Sequence, residues 1–170
     1  LVNSMGKATV IPFGPQHPVL PEPLHLDLVI DDDRVIEAIP QIGFVHRGLE
    51  KLTEKRDMHQ FGYIAERICG ICAVGHSCGY ASACERMLGI EVPGRVQYIL
   101  HELSRIHSHL LWLGLLADAF GFEALFYRSW TLREQILKIF ESTCGGRVIL
   151  SINEIGGLKH DIEDSELAGI

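Results

Sequence analysis

The strongest constraint on the fold is an apolar pattern over residues 94–119, where large apolar side chains recur at steps of three and four. This spacing puts them on one face of a long helix, and that face must be buried against other elements. Its members are Val96, Ile99, Leu100, Leu103, Ile106, Leu110 and Leu113. We interpret the polar stripe of His101, Arg105 and His109 as an interface or a solvated surface. A bundle of helices is therefore the expected core.

Further helices are predicted on both sides of this one. Residues 72–88 predict a helix rich in small side chains, which permit close approach of a neighbouring backbone, with Gly89 as its C-cap. Residues 130–140 predict another helix. A charged helix is expected over residues 46–58, followed by a second helical stretch over 59–68 that leads into a cysteine-rich segment.

The N-terminal part of the chain has the two-residue period of strands. Polar and apolar residues alternate over residues 24–39 around an aspartate turn at 31–33, which predicts an antiparallel hairpin ended by Pro40. Residues 9–13 predict a further strand, and residues 41–45 one more. The fold class we predict is α+β and mostly α, with a small N-terminal antiparallel sheet packed on a helical bundle.

Three regions follow from these elements. A β-rich region is expected over residues 8–46, a helical core with the cysteine motif over 47–160, and an acidic, loose tail over 161–170. Residues 14–23 contain four of the seven prolines, so they predict a stiff loop that would position His17 and Glu22 well.

Charge and hydropathy exclude some partners. The 170 residues carry a formal net charge of −7, which argues against nucleic acid because binding it needs a basic surface. The most apolar run, residues 110–117, is far shorter than the roughly 20 residues that span a bilayer. No secretory segment opens the chain, so we expect a reducing compartment and a link to any membrane through a partner.

Cys69, Cys72 and His76 carry the clearest chemistry in the chain. On one α-helix these positions would face the same direction, and two thiolates favour a soft metal such as zinc, nickel, copper(I) or the iron of an iron–sulfur site. His76 is either a third ligand or a hydrogen-bond donor beside the metal. Such a metal normally has four protein donors or an open position, so this is half a site.

Other interpretations of the cysteines remain open from the residues alone. A structural zinc site would need a second pair, and the spacing of Cys78 and Cys84 does not match a zinc knuckle. A thioredoxin-like dithiol would need strands and helices in alternation, which the pattern lacks. Cys78, Cys84 and Cys144 are expected to be inert thiols.

The motif Arg67-Ile-Cys69-Gly-Ile-Cys72-Ala-Val-Gly-His76 resembles the N-terminal cysteine motif of the large subunit of nickel–iron hydrogenases at every fixed position. The flanking segments at residues 13–18, 46–50 and 156–157 look like the energy-converting, membrane-associated branch of that family. This branch is similar to the quinone-site subunit of respiratory complex I, the 49 kDa type. The resemblance covers about residues 8–160.

The resemblance implies roles for individual residues. Cys69 would be a terminal nickel thiolate, and Cys72 would bridge nickel to an iron that carries carbon monoxide and cyanide. His76 would donate a hydrogen bond toward the bridging sulfur or toward the carbon monoxide and cyanide on the iron, and Arg67 would be a structural cation beside the cluster. Glu50 would bind a magnesium or iron ion away from the nickel.

Glu22 falls where the family has a glutamate that passes protons to and from a nickel thiolate. The implied reaction is reversible oxidation of H2 and reduction of protons. Electrons would pass to an iron–sulfur small subunit, since the chain has too few spare cysteines for a cluster of its own. We expect a cytoplasmic subunit, peripheral to the cytoplasmic membrane through further subunits of the complex.

The chain departs from the family pattern because no second Cys-x-x-Cys follows Cys72. We expect the sequence to be the N-terminal part of a longer subunit rather than a degenerate relative without nickel. The alternatives are a non-catalytic scaffold or quinone-site subunit of a complex I-like assembly, or a zinc-binding module. Cys69, Cys72 and Glu22 favour the hydrogenase, because the complex I subunit has lost the cysteines.

Overall fold

The computed structural model describes residues 8–18, 20, 22–92, 95–163 and 165, and it divides into two compact units, Leu1–Gly48 and Leu49–Ile170. Val19 and Pro21 of the proline-rich loop lie outside the described residues, as does most of the acidic tail predicted for residues 161–170.

The first unit is a three-stranded antiparallel sheet of β1 (Thr9–Phe13), β2 (His25–Asp31) and β3 (Arg34–Gln41), in the order β1-β2-β3. The predicted hairpin and first strand are confirmed. Pro40 does not end the hairpin but pairs with Leu26. A proline is tolerated there because β3 is at the edge of the sheet and need not donate on its outer side.

The extra strand predicted over residues 41–45 is wrong. Gly43 has a φ of 107°, and the N–H of His46 donates to its carbonyl oxygen at 3.0 Å. This turn redirects the chain before a strand can form, and it ends the first unit.

The second unit is mostly helical. Its helices are α1 (Leu49–Thr53), α2 (Met58–Glu66), α3 (Ala73–Leu88), α4 (Arg95–Ala119) and α5 (Glu123–Cys144). A two-stranded antiparallel pair follows, formed by β4 (Asn153–Glu154) and β5 (Gly157–Leu158). The α+β, mostly helical class with an N-terminal antiparallel sheet is confirmed.

Local signals explain where the helices begin and end. The carboxylate of Asp57 accepts the backbone N–H of Gln60 at 2.8 Å and begins α2. A continuous helix over residues 46–58 is therefore wrong, since α1 is only five residues long. Gly89 and Gly145 are left-handed residues that end α3 and α5, which confirms Gly89 as a C-cap.

The core lies between the helices and the loop that follows α5. Its buried members are Val74, Leu100, Ile136, Leu137, Phe140, Leu150, Ile152 and Ile162. Ile106, predicted on the apolar face of α4, is 49% exposed, and its neighbour His107 is only 1% exposed. At Gly79 an added Cβ would meet no atom within 4 Å in the described part of the chain, so Gly79 does not mark a close approach, whereas Ala73, Ser77 and Ala81 of the same helix are buried.

Candidate metal centre

The predicted metal ligands lie where α2 ends and α3 begins. Arg67 is the C-cap of α2, Cys69 lies in the following loop, and Cys72 is the N-cap of α3. His76 lies in the first turn of α3, where its N–H donates to the carbonyl of Cys72 at 3.3 Å. The prediction that the ligands share one helix is therefore wrong, because the chain turns between residues 67 and 72.

The donor atoms converge despite this turn. The sulfurs of Cys69 and Cys72 and a ring nitrogen of His76 all lie within 4.8 Å of one another. Two sulfurs bound at about 2.3 Å to one tetrahedral ion stand about 3.7 Å apart, so modest side-chain rotation would bring these donors onto one ion. Cys69 and His76 are half-buried and Cys72 is exposed, which leaves one side of the group open.

The loop directs backbone amides at the first of these sulfurs. Sγ of Cys69 accepts the N–H of Ile71 at 3.4 Å and the N–H of Cys72 at 3.5 Å. Amide donors stabilise negative charge on an acceptor. These two amides would stabilise a thiolate at Cys69, which is the form of the side chain that binds a metal.

A buried histidine of α4 is hydrogen-bonded to α5. Nδ1 of His107 accepts a hydrogen bond from Nε–H of Arg133 on α5 at 3.0 Å. The pKa of His107 is lowered to about 4, first by burial and then by the charge of Arg133, while the backbone of Ile71 raises it. The imidazole is therefore neutral near pH 7, with its proton on Nε2 because Nδ1 accepts from Arg133.

Glu66, the last residue of α2, has a fully buried carboxylate, 1% exposed. One of its oxygens accepts from Oγ of Ser77 at 3.1 Å, and the other accepts the N–H and Oγ of Ser151 at 2.8 and 2.9 Å. The side chain of Asn153 donates to Oγ of Ser77 at 2.8 Å. This network ties α2 and α3 to the loop after α5.

A half-open cavity of about 250 Å³ lies beside this network. Its walls include Tyr63, Glu66, Tyr80, Asn153 and Lys159. Oδ1 of Asn153 is buried and has no hydrogen-bond partner among the described residues. The cavity is polar enough to hold water, which would satisfy that oxygen.

Arg67, Glu50 and Glu22 are the remaining predicted site residues. Arg67 is exposed and donates from Nη1 to the carbonyl of Tyr63 at 2.7 Å. Glu50 is exposed in the first turn of α1. Glu22 lies in the first unit, beside a shallow hollow of about 370 Å³ that the proline-rich loop forms with His17 among its lining residues.

The other cysteines do not join the group. Within the described residues, the cluster of potential metal ligands contains Cys69, Cys72 and His76 but neither Cys78 nor Cys84. Burial, and next the charge of Glu66, raise the pKa of Cys78 to about 11, against a weaker opposing hydrogen bond from Asn153. Cys84 is 6% exposed. A second zinc pair from these two cysteines is therefore not formed.

Two structural features were missed from the sequence. Glu66 stands next to Arg67 in the cysteine motif, but its partner Ser151 is 85 residues away, so no local pattern could reveal the pair. His107 does leave a signal, because it continues the steps of three and four from Leu100 and Leu103 on the buried face of α4.

The fold and the thiol group define a mostly helical protein with a group of two sulfurs and an imidazole that could hold a soft metal ion. Residues 47–117 match the family model of nickel-dependent hydrogenases, and residues 119–170 match that of the 49 kDa subunit of respiratory-chain NADH dehydrogenase. The protein belongs to this family of hydrogenase large subunits and related complex I subunits.

Curated relatives come from both branches. The chain is 40% identical over 159 residues to the alpha subunit of the membrane-bound hydrogenase of Pyrococcus furiosus, covering 92% of this chain and 37% of that protein. It is 37% identical over 162 residues to an NADH-quinone oxidoreductase subunit of Koribacter versatilis, covering 94% of this chain and 40% of that protein. The chain thus spans less than half the length of these relatives.

A solved structure shares the fold. A chain of the membrane-bound sulfane sulfur reductase, an archaeal respiratory membrane complex, superimposes with a TM-score of 0.88 at 30% identity, covering 95% of this chain and 44% of that one. Within the described residues, no helix combines the length and the apolar content that crossing a membrane would need.

Proposed function

We propose that this chain supplies the N-terminal half of the metal site in the large subunit of a nickel–iron hydrogenase, which oxidises H2 and reduces protons reversibly. Cys69 would hold nickel and Cys72 would hold nickel and iron, each through its thiolate sulfur. His76 donates a hydrogen bond beside the bridging sulfur, and Arg67 is a cation near the centre. The helical core proposed for residues 47–160 carries this site.

The convergence of two sulfurs and one imidazole nitrogen within 4.8 Å is the observation that supports this proposal most. A quinone-site subunit has no chemical need for paired thiols, whereas a soft metal does. The amides on Sγ of Cys69 stabilise the anionic ligand that nickel requires. The donor set therefore fits a nickel–iron centre as far as the residues of this chain extend.

When bound, the nickel–iron centre, with carbon monoxide and cyanide on iron, supplies the Lewis acidity that polarises H2. The chain contributes the thiolates that hold the metal and an exposed side through which H2 and protons reach it. Glu22, in the stiff proline-rich loop, exchanges protons with the site as a general base. Each H2 oxidised releases two protons and two electrons.

The other roles are part of the same proposal. Glu50 binds a magnesium or iron ion at a second site, for which its exposed carboxylate is chemically suited. The electrons pass to an iron–sulfur small subunit. The names of the relatives support a multi-subunit membrane complex, which this chain would join as a cytoplasmic subunit peripheral to the membrane.

A second candidate is a non-catalytic, quinone-site subunit of a complex I-like assembly. The match of residues 119–170 to the 49 kDa subunit and the 37% identity to an NADH-quinone oxidoreductase subunit favour it. The hollow beside His17 is the feature of this chain that such a role would use. Metal content separates the two candidates.

The test is metal analysis and infrared spectroscopy of the complete natural complex. Nickel and iron near one each, with infrared bands of bound carbon monoxide and cyanide, would support the hydrogenase. Replacing Cys69 or Cys72 by Ser should remove the nickel and those bands, while the control Cys78→Ser should retain both. Zinc alone, or no metal, would overturn the proposal and favour the alternatives.

A further inference from the structure

A buried hydrogen bond closes the segment of residues 66–77, here called the ligand loop. Glu66 lies three residues before Cys69, at one end of this loop. Ser77 directly follows His76, at the other end. Oγ of Ser77 donates to Oε1 of Glu66 at 3.1 Å, and both side chains are fully buried. The two thiols and the imidazole therefore lie in a loop with a hydrogen bond across its base.

A second donor sets the direction of this bond. Nδ2 of Asn153, on β4, donates to Oγ of Ser77 at 2.8 Å. The hydroxyl accepts from Asn153 and has one proton left to donate. The carbonyl oxygen of Val74, in the same helix, is 3.2 Å away, but the carboxylate of Glu66 is the stronger acceptor. The proton of Ser77 is therefore directed across the base of the ligand loop.

Glu66 is also fixed from its opposite side. Its other oxygen accepts the N–H and the hydroxyl of Ser151 at 2.8 and 2.9 Å. The neighbours of Ser151, Leu150 and Ile152, belong to the hydrophobic core. Because α2 ends at Glu66, these bonds fix the beginning of the ligand loop relative to that core.

We propose that Glu66 and Ser77 are positioning residues for the metal centre. Their hydrogen bond holds the two ends of the ligand loop together, so that its two sulfurs and its imidazole stay grouped around one metal site before the metal binds. Closing the loop in advance removes conformational freedom that metal binding would otherwise have to remove. The inference deepens the proposed function and rests on the roles given there to Cys69 and Cys72.

The first experiment measures backbone amide exchange with D2O by mass spectrometry. It uses the full-length protein from cells grown without nickel, so that no nickel holds the ligand loop closed. Ser77→Ala removes the bond across the base and leaves both bonds from Ser151 to Glu66 in place. Glu66→Gln disturbs the same bond, because an amide has one acceptor oxygen and cannot accept from Ser77 and Ser151 together.

Two matched controls change buried polar groups outside the ligand loop. Ser129→Ala removes an equally buried hydroxyl of α5, which donates to the carbonyl of Leu125 at 2.8 Å. Glu85→Gln changes a buried carboxylate near the far end of α3, which accepts the N–H of Gly156 at 3.0 Å. These controls report the effect of lost stability alone.

We expect the amides of residues 68–76 to exchange about 10–100-fold faster in Ser77→Ala and in Glu66→Gln, which corresponds to the loss of one hydrogen bond to a charged group. The controls should leave the exchange of this segment unchanged. The double variant should exchange no faster than the faster single variant, because both changes act on the same bond.

The second experiment records infrared spectra of the complete natural complex with nickel bound. The bands of carbon monoxide and cyanide should shift in Ser77→Ala and in Glu66→Gln, because groups that orient the ligands alter the electron density at the metal. They should stay in place in Ser129→Ala and Glu85→Gln. A merely structural role of Glu66 and Ser77 would leave the bands where they are.

Unchanged exchange of residues 68–76 in Ser77→Ala would overturn the inference, and so would unshifted infrared bands in both ligand-loop variants. If Glu66→Gln does not fold, Ser77→Ala, the milder change, decides by the same two readouts. Failure of the proposed function is a different result, namely absence of nickel from the parent complex. In that case amide exchange still decides whether Glu66 and Ser77 hold the ligand loop.

Discussion

The carboxylate of Glu66 accepts both the backbone N–H and the hydroxyl of Ser151, at 2.8 and 2.9 Å, across 85 residues of sequence. The same carboxylate accepts from Ser77 on α3. Ser151 has a φ of 51°, an unfavourable conformation for a residue with a side chain, and these bonds hold it there. Glu66 thereby anchors the end of α2, where the thiol-bearing loop begins.

Glu66→Gln should lower the free energy of unfolding by about 2–3 kcal/mol, because charge-assisted bonds are lost and an amide N–H₂ is brought against buried donors. Urea unfolding followed by circular dichroism measures the change. Glu54→Gln, at an exposed ion pair with Lys51, is the control and should change stability by under about 0.5 kcal/mol. Equal stability of the two variants would contradict the anchoring role.

Lowering the pH should reduce the free energy of unfolding of the second unit, because His107 takes up a proton more readily in the unfolded chain than in the fold. A histidine in the unfolded chain binds its proton near its ordinary pKa of about 6.5, whereas in the fold the pKa of His107 is about 4. Between these values the unfolded state binds more protons, so the stabilisation is complete above about pH 6.5 and is lost towards pH 4.

The corresponding loss is about 2–3 kcal/mol. His107→Gln should be less sensitive to pH over this interval, since the amide does not titrate, while the exposed control His109→Gln should keep the full dependence. Urea unfolding at pH 7, 6 and 5 gives the comparison. If the free energy of unfolding depended on pH equally in His107→Gln and in the parent protein, another group would be responsible.

The cysteines should differ in their rates of alkylation. Burial and the charge of Glu66 raise the pKa of Cys78 to about 11, so it is a protonated thiol at pH 8. Cys72 is exposed. Iodoacetamide should modify Cys72 about tenfold faster than Cys78 or more, because the thiolate is the nucleophile. Peptide mass spectrometry measures the two rates. In urea the two rates should converge, and equal rates in the native protein would contradict the burial of Cys78.

Glu22→Gln in the complete enzyme should slow the isotope exchange between H2 and D2O by about 10²–10⁴-fold, since a general base is lost. Nickel and iron should remain bound, because Glu22 is not a metal ligand in this proposal. Glu37→Gln, on the exposed strand β3 of the same unit, is the control. Exchange by isotope-ratio mass spectrometry and metal analysis provide the two measurements. Unchanged exchange would exclude Glu22 from proton transfer.

Local pattern was sufficient for much of the fold. The hairpin of β2 and β3, the helix α4 and the C-cap at Gly89 follow from alternation, from steps of three and four, and from a left-handed glycine. The predictions of helix and strand bounds were wrong where a capping side chain or a turn interrupts a periodic pattern. Asp57 begins a new helix within an expected one, and Gly43 turns a stretch that otherwise resembles a strand.

The sequence by itself determined which donors the candidate site offers, because two thiols and a histidine stand in one short segment, and such donors favour a soft metal in any arrangement that brings them together. Only the tertiary structure decided that this arrangement is a turn capped by α3, and that Glu66 ties the end of α2 beside it to α3 and to the loop after α5. The reason is that helix packing creates contacts between residues 26 to 85 positions apart, and such contacts leave no periodic trace in the chain.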